Sequence, residues 1–89
     1  MLNNKVILIT GGTGSFGQKF TEVIFRRHRP KKIIILSRDE YKQYEMSKTF
    51  SPSQLPIRYF LGDVRDRYRL RRAFDGVDYV VHAAALKQV

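Results

Sequence analysis

Short apolar runs and longer mixed segments take turns along the chain. "KVILIT" (5–10) is β-branched, bounded by glycine, and reads as a buried strand. "KIIILS" (32–37), "IRYFLG" (57–62) and "VDYVVHAAA" (77–85) repeat that character. Between the first two runs, Phe16, Phe20, Val23 and Ile24 recur at helical spacing, which predicts a helix from 15 to about 28. Basic residues at 26–29 suit its C-terminus, and Pro30 blocks continuation. A second helix is expected from 39 to about 50, followed by a proline- and serine-rich loop, "SPSQLP" (51–56). Asp66 is placed to cap a third helix near 67–75, with Leu70, Ala73 and Phe74 inward and Gly76 as the stop.

Four strands alternating with three helices are the mark of a parallel sheet with right-handed crossovers. The expected fold is therefore α/β, a Rossmann-type parallel sheet of strand order 3-2-1-4. Only its first four strands are present. Parallel sheets have both faces covered, and the sequence stops at "AAALKQV", directly after the fourth run. Residues 1–89 are thus expected to form a partial nucleotide-binding domain, the front of a longer protein whose catalytic and substrate-binding parts lie elsewhere.

Composition narrows the class. With 43% hydrophobic and 28% charged residues the chain reads as globular. The absence of cysteine excludes a disulfide framework or thiolate metal site and fits a reducing, cytoplasmic setting. No apolar run approaches the ~20 residues of a membrane span, and the N-terminus lacks the pattern of a signal peptide. The net charge of +9 is the unusual bulk property, carried largely by "RRHRPKK" (26–32) and "RDRYRLRR" (65–72). It is compatible with solvated surface, with an anionic small ligand, or with nucleic acid. The basic clusters lack interleaved aromatic stacking residues on a common surface, which disfavours nucleic acid. A polyanion-binding α/β module stands as the non-enzymatic alternative.

The chemistry gathers at "TGGTGSFG" (10–17). Gly12-x-Gly14-x-x-Gly17 fits the general dinucleotide fingerprint, and Gly11-x-x-Gly14-x-x-Gly17 fits its variant with a wider first gap. Bare backbone there lets a pyrophosphate approach the turn, and the last glycine lets helix pack on strand. The helix N-terminus then faces the phosphates. About 20 residues on, a cofactor with a free ribose 2′-hydroxyl usually meets an acidic residue. This chain offers Ser37-Arg38 first and Asp39 only afterwards. A hydroxyl and a guanidinium suit a 2′-phosphate, so NADP is expected over NAD, with Lys42 one turn on as reinforcement. Asp63, in "GDV" after the third strand, either meets the adenine amino group or shapes the turn. Ala83 and Ala84, within "AAA" (83–85), are too small to block a flat ring lying against them. His82 follows two valines and is expected to face the core. No metal site is expected.

Taken together, "TGGTGSFG", "SRDEYKQYEM", "GDVRD" and "HAAALKQV" closely resemble the extended short-chain dehydrogenase/reductases. Within them the resemblance is nearest the bacterial UDP-N-acetylglucosamine 4,6-dehydratases that invert C5, enzymes of polysaccharide biosynthesis. It extends over essentially the whole chain and is weakest at 51–56. It implies that Thr13, Gly14, Ser15 and Phe16 hold the pyrophosphate of NADP. It implies further that Ser37, Arg38, Asp39, Glu40, Tyr41 and Lys42 enclose the 2′-phosphate. Asp63 and Val64 would flank adenine, and Ala83 and Lys87 would approach the ribose and nicotinamide. A nucleotide-sugar substrate and self-association are implied for the whole enzyme. That family's catalytic Tyr-x-x-x-Lys pair lies beyond the fourth strand. Here only Tyr44 and Lys48 share its spacing, on the helix after the second strand, so the chain is expected to bind without catalysing. A related epimerase or reductase is the enzymatic alternative.

Overall fold

The structure, a computed structural model, describes residues 2–63 and 65–83. It contains β1 (Val6–Thr10), α1 (Ser15–Arg27), β2 (Lys32–Ser37), α2 (Glu40–Thr49), β3 (Ile57–Leu61), α3 (Arg67–Ala73) and β4 (Tyr79–His82). The strands form one parallel sheet in the order β3-β2-β1-β4, the order expected of a Rossmann-type sheet.

Burial on both faces explains why β1 and β2 are apolar between their ends. Ile7, Ile9, Ile33 and Ile35 point to one face, where Ile24 of α1, Met46 of α2 and the rings of Phe20, Phe25 and Phe50 meet them. Val6, Leu8, Ile34 and Leu36 point to the other face, against Leu70 and Ala73 of α3. A strand buried on both faces has no position for a polar side chain until its end. Past Lys32 at the entry of β2, polarity returns only at Thr10 and Ser37, the last residues of β1 and β2. Both sit at the carboxyl edge of the sheet.

Four details depart from the sequence expectation. The buried seam of α1 is Gly17, Thr21 and Ile24, with Phe20 packed beside it, whereas Phe16, expected on the same stripe, is 40% exposed and stacked on Phe20. Gly17 sets this seam, because the absence of its side chain brings that edge of the helix against the turn. Phe74 is also exposed, since α3 ends at Ala73 and Phe74 serves as its cap, off the inward stripe. The fourth strand spans four residues, shorter than the 77–85 run suggested. His82 does not face the core. Val81 joins the α1–α2 face, so Val80 and His82 project to the opposite face, beyond the cluster under α3, and both are exposed.

Candidate functional site at the carboxyl edge of the sheet

Parallel strands deliver their C-terminal ends to one edge, and three connections start there: 11–14 after β1, 38–39 after β2, and 62–66 after β3. In a sheet of this kind ligands bind in the crevice outside that edge, beside the central strands. The first connection turns sharply. Gly11 adopts φ 66°, in the left-handed region open to glycine, while its N–H donates to the Leu36 carbonyl at 2.8 Å. Gly17 lies so close to the turn that a Cβ would fall 2.4 Å from the Gly12 carbonyl oxygen and 2.5 Å from its Cα. A Cβ on Gly12 would meet Ile35 side-chain atoms at 3.0 Å. Helix, turn and strand therefore touch through bare backbone.

The result, among the described residues, is a helix N-terminus without a side-chain cap. The cap residue of α1 is Gly14, no side chain caps its first turn, and that turn has no acidic residue. The other two helices are different. Asp39 accepts from the Lys42 N–H at 3.0 Å at the start of α2, and Asp66 accepts from the Arg69 N–H at 3.1 Å at the start of α3. The first N–H groups of any helix lack intrahelical partners; in α1 alone of the three they are left to an external acceptor. Thr13 is buried, and its carbonyl accepts from Gln18 Nε2 at 2.8 Å, which steadies the turn. Ser15 is exposed beside it.

At the end of β2, Ser37 is buried and its hydroxyl accepts from Gln43 Nε2 at 3.0 Å. The same amide donates to the Phe60 carbonyl at 3.1 Å, tying α2 to the ends of two strands. Arg38, Asp39, Glu40, Tyr41 and Lys42 are exposed. The Arg38 guanidinium reaches Asp63, Nη1 to Oδ2, at 3.5 Å. Asp63 in turn is gripped by Arg65. Arg65 Nη2 donates to Oδ2 at 2.7 Å, its Nε lies 3.2 and 3.1 Å from the two carboxylate oxygens, and its backbone N–H donates to Oδ1 at 2.9 Å. These Arg65 hydrogen bonds, with the Arg38 charge adding to them, hold the Asp63 carboxyl far below the usual carboxylate range. Asp63 is ionised at any physiological pH.

Beside β1, the Thr10 hydroxyl meets His82 Nδ1 at 3.0 Å, joining the carboxyl ends of β1 and β4. Ala83 follows, buried. The structure thus gathers Gly11, Gly12, Thr13, Gly14, Ser15, Phe16, Gly17, Ser37, Arg38, Asp39, Lys42, Asp63 and Ala83 at one edge of the sheet. Val64, Ala84 and Lys87 lie outside the described residues. Two participants escape the sequence reading. Gln43 carries a signal in hindsight, a polar residue three positions from Met46 on the inward side of α2. Arg65 carries none, because its place among many arginines is invisible without coordinates.

Tyr44 and Lys48 lie on exposed surface of α2, where Lys48 Nζ sits 4.9 Å above the Tyr44 ring and pairs with Glu45 at 3.1 Å. Their spacing matches a catalytic pair, but the lysine is engaged with Glu45. Among the described residues no cluster of three or more His, Cys, Asp or Glu could hold a metal, and no helix is long and apolar enough to cross a membrane.

Comparison with known proteins gives the site a context. The chain is 57% identical over all 89 residues to the inverting UDP-N-acetylglucosamine 4,6-dehydratase of Campylobacter jejuni (serotype O:23/36), and the match covers 26% of that protein. It is 45% identical over 92 aligned positions to the UDP-glucose 4-epimerase of Rickettsia typhi, again over 26% of the relative. Among solved structures, Pen from Bacillus thuringiensis superposes with a TM-score of 0.82 at 34% identity, over 90% of this chain and 24% of that one. The chain therefore spans about a quarter of the length of the relatives it matches. The resemblance and the Rossmann-type fold read from the sequence are both borne out. Residues 7–89 match the family model described as polysaccharide biosynthesis protein, and the chain belongs to that family.

Proposed function

We propose that this chain is the NADP-binding N-terminal portion of a C5-inverting UDP-N-acetylglucosamine 4,6-dehydratase that acts in the cytoplasm in bacterial polysaccharide and nucleotide-sugar biosynthesis. The observation that carries the cofactor reading is the bare start of α1. It combines an uncapped N-terminus, a glycine at the cap and a contact between Gly17 and Gly12 that excludes any side chain. A diphosphate fits such a cradle, because unpartnered N–H groups and the positive end of the helix dipole both favour an anion. The identity to the Campylobacter dehydratase carries the substrate reading.

In this reading Thr13, Gly14, Ser15 and Phe16 hold the pyrophosphate: Thr13, Ser15 and Phe16 present backbone N–H groups, and Gly14, whose own N–H donates to the Gly11 carbonyl at 3.2 Å, leaves room for it. Arg38, with Ser37 and Lys42, receives the 2′-phosphate. Asp63 meets the adenine amino group, and Ala83 leaves room for the ribose side. When bound, the nicotinamide supplies a reversible hydride acceptor for a sugar carbon. This chain's residues hold and orient the cofactor, and the acid–base groups of a dehydratase belong to the remaining three quarters of such an enzyme.

Calorimetric titration of the protein with NADP+ and NAD+ tests the cofactor assignment. One charge-assisted contact is worth roughly 1.5–3 kcal/mol, about ten- to a hundredfold in affinity. NADP+ is expected to bind at least tenfold tighter than NAD+, and Arg38→Ala is expected to remove that preference. Equal affinities in the unmodified protein would overturn the assignment. The second reading, a sugar-nucleotide 4-epimerase, is favoured by the 45% identity to the Rickettsia enzyme. Product analysis of the full-length enzyme with UDP-N-acetylglucosamine separates the two. Loss of water with inversion at C5 marks the dehydratase, and inversion at C4 alone marks the epimerase.

A further inference from the structure

The Asp63 cluster poses a problem for the cofactor site. Arg38, the residue assigned to the 2′-phosphate, already has an anionic partner in Asp63. A carboxylate beside a phosphate repels it, and it also competes for the guanidinium the phosphate needs. A selective NADP site should not contain an unopposed aspartate there. The geometry shows how the conflict is resolved. The two arginines hold Asp63 very unequally. Arg65 offers Nη2, Nε and its own backbone N–H, with Nη2 at 2.7 Å. Arg38 offers one nitrogen at 3.5 Å, outside good hydrogen-bond length, and its side chain is 70% exposed.

We propose that Arg65 is a positioning residue for cofactor selection: it occupies and neutralises the Asp63 carboxylate, so that Arg38 stays free to turn to the 2′-phosphate of NADP. This rests on the NADP reading above and adds a residue which that reading does not require. Three connected groups, two guanidinia and one carboxylate, carry a net charge of +1. Without Arg65 the pair Arg38–Asp63 is neutral, and the carboxylate has Arg38 as its remaining arginine partner. The cost falls on the 2′-phosphate alone, because NAD+ places only a hydroxyl at that position.

Arg65 is exposed, with its side chain 77% accessible, so its removal should leave the sheet and helices intact. Circular dichroism of Arg65→Ala checks this. Exposed ion pairs of this kind are worth up to about 1 kcal/mol. Arg65→Ala is therefore expected to weaken NADP+ binding about three- to fivefold while leaving NAD+ within twofold. Adding Asp63→Asn removes the carboxylate charge, and the ratio of NADP+ to NAD+ affinity is expected to return to the unmodified value. That rescue holds even though Asp63→Asn itself weakens both nucleotides by disturbing the adenine contact.

A second measurement stands apart from nucleotide binding. The carboxyl resonance of Asp63, followed by NMR in the ligand-free protein, is expected to titrate at clearly higher pH in Arg65→Ala. An unchanged titration would show that Arg65 does not hold the carboxylate. Equal losses for both nucleotides, or no loss for either, would overturn the proposal while leaving the NADP assignment standing. Failure of the unmodified protein to prefer NADP+ would instead remove the assignment on which the proposal depends.

Discussion

At the scale of single residues, two glycines behave very differently. Gly17 sits in a helix, where alanine would ordinarily gain about 1 kcal/mol. Its Cβ, however, would overlap the Gly12 backbone, which cannot swing aside as a flexible side chain could. Overpacking of this kind costs typically 1–3 kcal/mol and sometimes more. Gly17→Ala is expected to destabilise the protein by about 2 kcal/mol and to abolish nucleotide binding, measured by urea unfolding and calorimetry. Gly76 serves as the control. It has φ +74° with no atom within 4 Å of a Cβ, so alanine there costs only the left-handed backbone, about 1–2 kcal/mol, and spares the site.

Residue identity was legible where the backbone needed it. The spacing of Gly12, Gly14 and Gly17 announced a close approach, and the approach is there. Side-chain partnerships were not legible. Nothing in "GDVRD" distinguishes Arg65 from the many other basic residues, because its role depends on the geometry of a turn. His82 failed for a related reason. Two preceding valines suggest burial, yet the side of an edge strand on which a residue falls is settled by what covers that side.

At the scale of elements, the polar caps divide the helices by role. α2 and α3 close their own first turns with Asp39 and Asp66, whereas α1 does not. Replacing a capping aspartate with alanine costs roughly 1 kcal/mol. Asp66→Ala is expected to lower stability by about that amount and to lower the melting temperature by roughly 4–8 °C. Binding through α1 should be untouched, as thermal melts with and without NADP+ would show. The cap of α3 was legible in sequence, since aspartate followed by a mixed helical stretch is a familiar start signal. The inward seam of α1 was legible in part. Gly17, Phe20 and Ile24 were expected at the contact, whereas the burial of Thr21 and the exposure of Phe16 emerge only from the packing.

At the scale of the whole molecule, the parallel sheet followed from alternation, and its strand order from the Rossmann-type fold to which the chain's motifs point. Parallel pairing and right-handed crossovers leave few arrangements for four strands with three intervening helices. The charge could not be assigned in the same way, because +9 spread over a sheet and three helices has no single location in sequence. In the structure part of it is local, the two arginines around Asp63. Much of the remainder lies on exposed surface, at Arg26, Arg27, Arg29, Arg67, Arg71 and Arg72.

The two outer strands of the sheet are guarded unequally. β3 carries Arg58 and is preceded by Pro56, both of which discourage an approaching strand. β4 has only His82 as a polar residue, and Tyr79 and Val80 are exposed at 41% and 39%. For this 89-residue chain in dilute buffer, mutual repulsion between +9 molecules keeps such borders apart. Salt shortens the reach of that repulsion to about 10 Å at 0.1 M. Colloidal behaviour should therefore run opposite to that of most neutral proteins, with association rising as sodium chloride is added. Light scattering across a salt series would show it, and Val80→Lys, by placing a charge on the bare border, should flatten the curve.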